Sequence, residues 1–411
     1  MKYTKLERNW VMYDVGNSAL VLLNTSVVPI YFNAINTGAS SADLVVAWGN
    51  AQTIASLVIA MLMPILGALA DYAGNKIKFF LGFFLTGLVL CLAQAIPMSA
   101  MAFLTVYVLC TIGLNSSMTF YDAMLPDITT DERMDAVSSS GYAWGYIGSC
   151  VPFVVCLALV LGSGAIGLSQ MTALSVALLI TAVWWLGTTL PLLRSYKQIN
   201  YVEVEQHAIR QSFVRIGHTL KHLREDKQVF WFLLAFFCYI DGVYTIIDMA
   251  TAYGTALGLD TTGLLLALLV TQIVAFPSAL IFGRLSQKYE SKTLIPVCIA
   301  AYTGIAVFAF FLKSQWQFWV LAVVVGMFQG GVQALSRSHF AKIIPQEKSG
   351  EYFGLFDICG KGASFLGTMI VSVGSQLTGS ANVGVGSIAI LFVIGFVLFG
   401  ISTRTEQTKQ V

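Results

Sequence analysis

The sequence predicts an all-α polytopic membrane protein, with twelve transmembrane helices in two pseudo-symmetric bundles of six. Three observations lead there. Of the 411 residues 57% are hydrophobic and only 11% charged, with a mean hydropathy of +0.76; a soluble chain carries about 25% charged residues. The apolar residues fall in runs of about 20, the length that crosses hydrocarbon. Polar spacings in the first half also recur in the second. The net charge of +2 comes without any long basic or acidic block, which argues against a nucleic-acid partner.

Taken in order, the spans are roughly 9–34, 43–70, 77–98, 100–125, 137–161, 168–193, 228–253, 260–285, 292–313, 317–341, 350–375 and 384–403. Lys2, Lys5 and Arg8 precede the first run, but Asp14, Asn17 and Asn24 interrupt it. That pattern reads as an uncleaved first helix rather than a signal peptide. With the N-terminus cytoplasmic, basic residues collect on that side: in the N-terminal arm, at Lys76 and Lys78, through 194–227, at Arg284, Lys288, Lys292, Lys342 and Lys348, and in the tail. Only Lys313 falls opposite, so the positive-inside rule places both termini in the cytoplasm, and the membrane is read as a bacterial cell membrane. Asp127, Asp131, Glu132 and Asp135 form an acidic exception in a loop on that side.

The polar stretch 194–227 divides a first bundle, 1–193, from a second, 228–411. Within it Ile209, Phe213, Ile216, Leu220 and Leu223 recur at helical steps, the pattern of an interfacial amphipathic helix. His218 and His222 stand one turn apart there, but two ligands make a poor metal site, and a solvated polar face is the simpler reading. The seven cysteines lie inside apolar runs without a CxxC spacing, as small hydrophobes. No metal, cofactor or catalytic constellation is expected.

Internal duplication is visible in three places. Gly67, Asp71, Gly74 and Lys76 after the second helix match Gly283, Gln287, Glu290 and Lys292 after the eighth, at equal spacing. Pro126 follows the fourth helix as Pro345 follows the tenth. Asp14, in YDVGN, is expected to correspond to Asp241, in YIDGV. In the first of these loops Gly67 allows close helix approach, Gly74 a backbone turn with positive φ, and Asp71 the capping of a neighbouring helix. Those residues and Lys76 read as a gate latch, not a solute site.

Charged groups at bilayer depth cost several kcal/mol or more unless they face a bundle interior or a wet path. Helix 7 carries Asp241, Tyr244, Thr245 and Asp248 as one polar stripe. Asp241 lies roughly 18 Å from the helix end at 1.5 Å per residue, near the midplane. Helix 10 carries Gln329, Gln333, Ser336 and Arg337 on one face, and helix 11 carries Asp357, Lys361 and Ser364. Pairs 241–361 and 337–357 are both geometrically open, and each could equally be a structural lock. Asp248 has no evident cation and is the best candidate for a protonatable carboxylate. Helix 1 adds Asp14, Asn17, Ser18 and Asn24; helix 4 adds Asn115, Thr119 and Asp122.

The loop signature at 67–78 resembles that of the major facilitator superfamily. The runs from Trp10 to Ser18, Tyr121 to Pro126, Tyr239 to Val243, Gln333 to Ser338 and Phe353 to Asp357, with Gly360 and Lys361, are similar to those of its vacuolar amino-acid effluxer group, whose bacterial members are called unidentified major facilitators. The resemblance implies a twelve-helix secondary transporter, and amino-acid efflux in the fungal branch. Together with the residues it predicts a transporter, monomeric and not an enzyme, of a small polar or zwitterionic solute such as an amino acid. Alternating access is the expected mechanism, with protons as the candidate coupling ion. Asp241, Asp248, Tyr244, Arg337, Lys361, Asp357, Gln333, Asn17, Asn24 and Asp14 are the candidate solute or coupling residues. The alternatives are an exporter of amphiphiles or drugs, and a non-transporting receptor or scaffold whose buried charges act as locks.

Overall fold

A computed structural model of the chain describes all residues except Met1, 37–40, 204–211, 213, 215, 218, 220, 222, 224, 362–363 and 410–411. We number its twelve main helices α1 (Lys5–Ser26), α2 (Ser41–Ala70), α3 (Lys76–Gln94), α4 (Ala100–Ala123), α5 (Asp131–Gly162), α6 (Gln170–Ser195), α7 (Lys227–Ala256), α8 (Thr261–Leu285), α9 (Ser291–Ala309), α10 (Gln315–Ile343), α11, described over α11a (Ser349–Lys361) and α11b (Ser364–Thr378), and α12 (Ala389–Lys409). Among the described residues ten helices are long and apolar enough to cross a membrane. Of the other two, α1 carries the polar Asp14, Asn17 and Asn24, and α11 includes residues outside the described ones. The fold is thus the expected all-α polytopic membrane fold of twelve helices.

The acidic loop needs correcting: Asp131, Glu132 and Asp135 are not loop residues but open α5. There they are favoured, because acidic side chains complement the exposed N–H groups and positive pole of a helix start. Of the amphipathic pattern in the linker, Ile209, Phe213 and Leu220 lie outside the described residues, as do His218 and His222; Ile216 is buried, while Val214 and Lys221 are exposed.

The chain forms two compact units. The first comprises Met1–Ile128, Trp144–Ala208 and Glu347–Gly354; the second comprises Thr129–Ala143, Ile209–Gln346 and Leu355–Val411. Inside the first, α1 packs on α6, α2 on α4, α3 on α4 and α3 on α6. Inside the second, the partners six helices on do the same: α7 on α12, α8 on α10, α9 on α10 and α9 on α12. The duplication read from the sequence is therefore a duplication of packing.

Side-chain contacts fix its register. Tyr13 OH bonds Ser117 Oγ at 2.6 Å, and Tyr239 OH bonds Ser336 Oγ at 2.6 Å. Gly16 lies against Trp185 and Thr188 of α6, and Gly242 against Phe392 of α12. Both helix 1–helix 7 pairs, 13 with 239 and 16 with 242, are 226 residues apart. In that register Asp241 takes the place of Val15, and Asp14 that of Ile240. The expected correspondence of Asp14 with Asp241 is wrong by one residue, so the two carboxylates lie on different helix faces.

In the first unit α3 and α4 approach closely through facing glycines. A methyl group added at Gly113 would lie 2.6 Å from the Gly87 nitrogen and 2.7 Å from its Cα, while one at Gly82 would meet nothing within 4 Å. Forcing extra atoms into such a contact costs about 1–3 kcal/mol. We therefore expect Gly113→Leu to lower the unfolding midpoint of the purified protein and Gly82→Leu to leave it near wild type. Equal midpoints for the two variants would contradict this packing.

Candidate functional site

Polar residues gather at three places. The first is the face of α1 toward α4. Tyr121 OH donates to Asp14 Oδ2 at 2.8 Å, Asn17 Nδ2 donates to Asp14 Oδ1 at 3.3 Å, and Ser18 Oγ donates to Asn17 Oδ1 at 3.3 Å. The Tyr121 ring is stacked on Trp10 with centroids 4.3 Å apart, and Trp10 Nε1 donates to the Tyr121 carbonyl. Asp14 is thus served by neutral donors of its own unit, which disperse its charge within the bundle. Asn24, two turns further along α1, is buried and its Oδ1 accepts no hydrogen bond among the described residues.

The second is Asp241 on α7, whose residue is fully buried. Both carboxylate oxygens accept from the Gly367 backbone N–H, at 3.0 and 2.8 Å, and Thr245 Oγ1 donates to Oδ1 at 3.3 Å. Gly367 lies in α11b. The contact requires a glycine, because a Cβ at 367 would lie 2.9 Å from the Asp241 oxygen and closer still to Thr245. The side chain of Lys361, the expected partner, lies outside the described residues. Asp248, two turns along the same stripe, is exposed and makes no hydrogen bond or ion pair among the described residues. Tyr244 and Asp357 are half-buried and Gln333 is buried.

Arg337 is only 2% exposed. Its Nε donates to Ser138 Oγ at 2.9 Å, its Nη2 donates to the Ser138 carbonyl at 3.0 Å, and the guanidinium stands 4.3 Å from the centre of the Tyr142 ring. Ser138 Oγ in turn donates to the Ala334 carbonyl at 2.7 Å. These contacts bind α10 to the opening turns of α5, which Lys342 reinforces with a 2.7 Å ion pair to Asp135. Arg337 therefore stacks on an aromatic face and fills its donors from α5, two things a guanidinium does better than an ammonium.

The third place is the loop after α2. Gly74 has φ +70°, the left-handed turn foreseen from its position. Asp71 is fully buried and accepts from Gly350 N at 2.7 Å and Glu351 N at 3.0 Å, so it caps α11a as the sequence suggested. Gly67 permits that approach: a Cβ there would lie 2.1 Å from the Gly350 carbonyl oxygen. Lys76, also fully buried, donates to Asp127 Oδ2 at 3.0 Å, Ser349 Oγ at 2.8 Å and the Ala123 carbonyl at 3.2 Å.

Asp127 is the residue that sequence reasoning missed, having placed it in an acidic loop. It is buried and also accepts from Tyr196 OH at 2.6 Å, Ile199 N at 3.2 Å, Asn200 N at 2.7 Å and Asn200 Nδ2 at 2.9 Å. Burial pushes the Tyr196 hydroxyl pKa up, and the neighbouring carboxylate pushes the same way, so Tyr196 remains a donor. The segment 196–202 is further tied down by Val202 N to the Asp71 carbonyl at 2.9 Å and by Gln198 Nε2 to the carbonyls of Ala70 and Asp71. The start of the linker is thus strapped across the loop, with Asp127 as its anchor.

That asymmetry is testable. Removing one partner of a buried ion pair costs about 3–5 kcal/mol, because the other is left uncompensated. Asp127→Leu should reach that range, since it strands Lys76 and releases the strap. Lys76→Met should cost clearly less, since Asp127 keeps four donors. Denaturant titration of the two variants checks this, and equal losses would contradict the anchoring role.

Comparison with known proteins fits this geometry. The family described as vacuole effluxer Atg22-like matches residues 4–410. The chain is 41% identical over 420 aligned positions to the uncharacterized MFS-type transporter YxiO of Bacillus subtilis strain 168, covering 100% of this chain and 98% of that protein. It is 26% identical to autophagy-related protein 22 of Saccharomyces cerevisiae strain S288c, covering 90% of this chain and 74% of that protein. Its fold is similar to the crystal structure of the major facilitator superfamily transporter FucP in the outward conformation, with TM-score 0.73, 14% identity and 97% of each chain covered. A bacterial homologue of the iron transporter ferroportin superposes with TM-score 0.71 and 16% identity over 97% of this chain and 98% of that one. The chain belongs to the Atg22-like vacuole effluxer family and is an integral, multi-pass secondary transporter of the major facilitator type.

Proposed function

We propose that the protein carries a small zwitterionic solute of the amino-acid class by alternating access, coupled to protons through Asp241 or Asp248. The observation that carries the reading is Asp241: a fully buried carboxylate on a membrane-spanning helix, held by the Gly367 N–H and Thr245 with no counter-cation among its described partners. An ionisable group at that depth marks a solute or ion path by default. An ammonium group or a proton arriving at Asp241 would neutralise it and weaken its hold on Gly367 N. That links occupancy to the position of α11b. The amino-acid class draws on the family's description as effluxers and on the fungal relatives.

On this reading Gln333 and Tyr244 supply neutral hydrogen bonds, and Lys361 is the cation for the solute carboxylate. Arg337, engaged by Ser138 and Tyr142, is reassigned from solute contact to a tie between α5 and α10. Asp71, with Gly67, Gly74 and Lys76, acts as a latch that biases the conformational equilibrium. The distribution of Lys and Arg supports placing both termini on the cytoplasmic face of a bacterial membrane.

Uptake of labelled amino acids into proteoliposomes, with and without an imposed pH gradient, tests the proposal. The gradient should raise the wild-type rate, and Asp241→Asn should abolish transport while the protein still folds. Wild-type transport by Asp241→Asn would remove Asp241 from the mechanism. Identical rates with and without the gradient would remove the proton. Competition by hydrophobic cations, with none by amino acids, would favour the export of amphiphiles instead.

A further inference from the structure

The second unit contains an open cleft between α7, α8 and α10, whose empty space, counted out into its open side, is about 640 Å³. Its described lining contains no charged side chain and is mostly aliphatic and aromatic, with Phe318 and Leu321 among its walls. Most of its hydroxyl groups are already used. Tyr253 OH donates to the Ala309 carbonyl at 2.7 Å. Thr271 Oγ1 lies 3.0 Å from the Ala267 carbonyl and 3.1 Å from that of Ala322. Thr245 Oγ1 donates to Asp241.

Two carboxamides differ from these. Gln329 on α10 is 5% exposed, lines the cleft, and its Oε1 accepts no hydrogen bond among the described residues. Gln272 on α8 also lines it, is half-buried, and makes no hydrogen bond among the described residues. A buried amide oxygen is costly to leave unsatisfied, and native structures rarely do so without an occupant. An occupant that meets Gln329 must bring a donor. It must also be uncharged, because an ion in an apolar cleft without a counter-charge would lose its hydration and gain nothing in return.

We infer that this cleft is a binding site for a neutral molecule, or a neutral part of one, with an aliphatic or aromatic body and one hydroxyl or amide N–H donating to Gln329 Oε1. Gln272 then serves as the second polar contact. The inference concerns binding alone and stands or falls independently of the role of Asp241 in transport.

Fluorine NMR on the full chain in lipid nanodiscs tests it with three probes of one size: 4-fluorophenol, fluorobenzene and 4-fluorobenzoate. Saturable binding of 4-fluorophenol is expected, and none of 4-fluorobenzoate. Gln329→Leu should weaken 4-fluorophenol about tenfold, the worth of one hydrogen bond, without weakening fluorobenzene. Ala322→Trp, which fills the cleft, should abolish the saturable signal of both and so separate it from partition into lipid. In the unmodified protein hexanol should displace 4-fluorophenol and hexylammonium should not, an arm that does not depend on any variant folding. Equal binding of phenol and benzoate, an unchanged phenol affinity in Gln329→Leu, or no saturable binding because water alone fills the cleft would each overturn the inference.

Discussion

A helix that starts inside a packed bundle leaves its first N–H groups without acceptors, and something else must provide them. In this protein two aspartates from other helices reach backbone N–H groups of the eleventh helix. Asp71 takes the N–H groups of Gly350 and Glu351 at the start of α11a, and Asp241 takes that of Gly367 in α11b. Both aspartates are fully buried. At the start of α11a each bond serves two needs at once, since the helix gains an acceptor and the carboxylate gains donors and the positive end of a dipole. The glycines follow from this constraint: Gly67 and Gly350 permit one contact, Gly367 the other, and a Cβ at any of the three would occupy the space of the partner.

The same economy governs the other buried charges. Lys76 is matched by Asp127, Arg337 by Ser138 and the Tyr142 ring, and Asp14 by Tyr121 and Asn17. Every one of these solutions lies within one packed unit. They differ in kind: Lys76 has a full counter-charge, whereas the described donors of Asp14 and Asp241 are neutral.

Much of this was legible in the sequence. The length and spacing of the apolar runs carried the fold, because hydrocarbon imposes a length on every span. The capping role of Asp71 followed from its place four residues after Gly67 and three before Gly74. What the sequence concealed were partners without a side-chain signature. Nothing in the letter Gly367 announces that its amide will hold Asp241, so a lysine was expected in its place. The register error arose because Tyr and Gly, not Asp, mark the repeat: the acid moved one residue between YDVGN and YIDGV while its neighbours kept their roles. Asp127 read as a surface acid because its donors, Lys76 and the 196–200 strap, come from distant parts of the chain.

The claim that Asp71 and Asp241 separately secure two stretches of helix 11 is tested most directly by amide hydrogen exchange. Measured on the full-length protein in lipid, Asp71→Ala should accelerate exchange across 349–354 and leave 364–370 near wild type, whereas Asp241→Ala should do the reverse. Exchange that rises in both segments together, or in neither, would contradict the account.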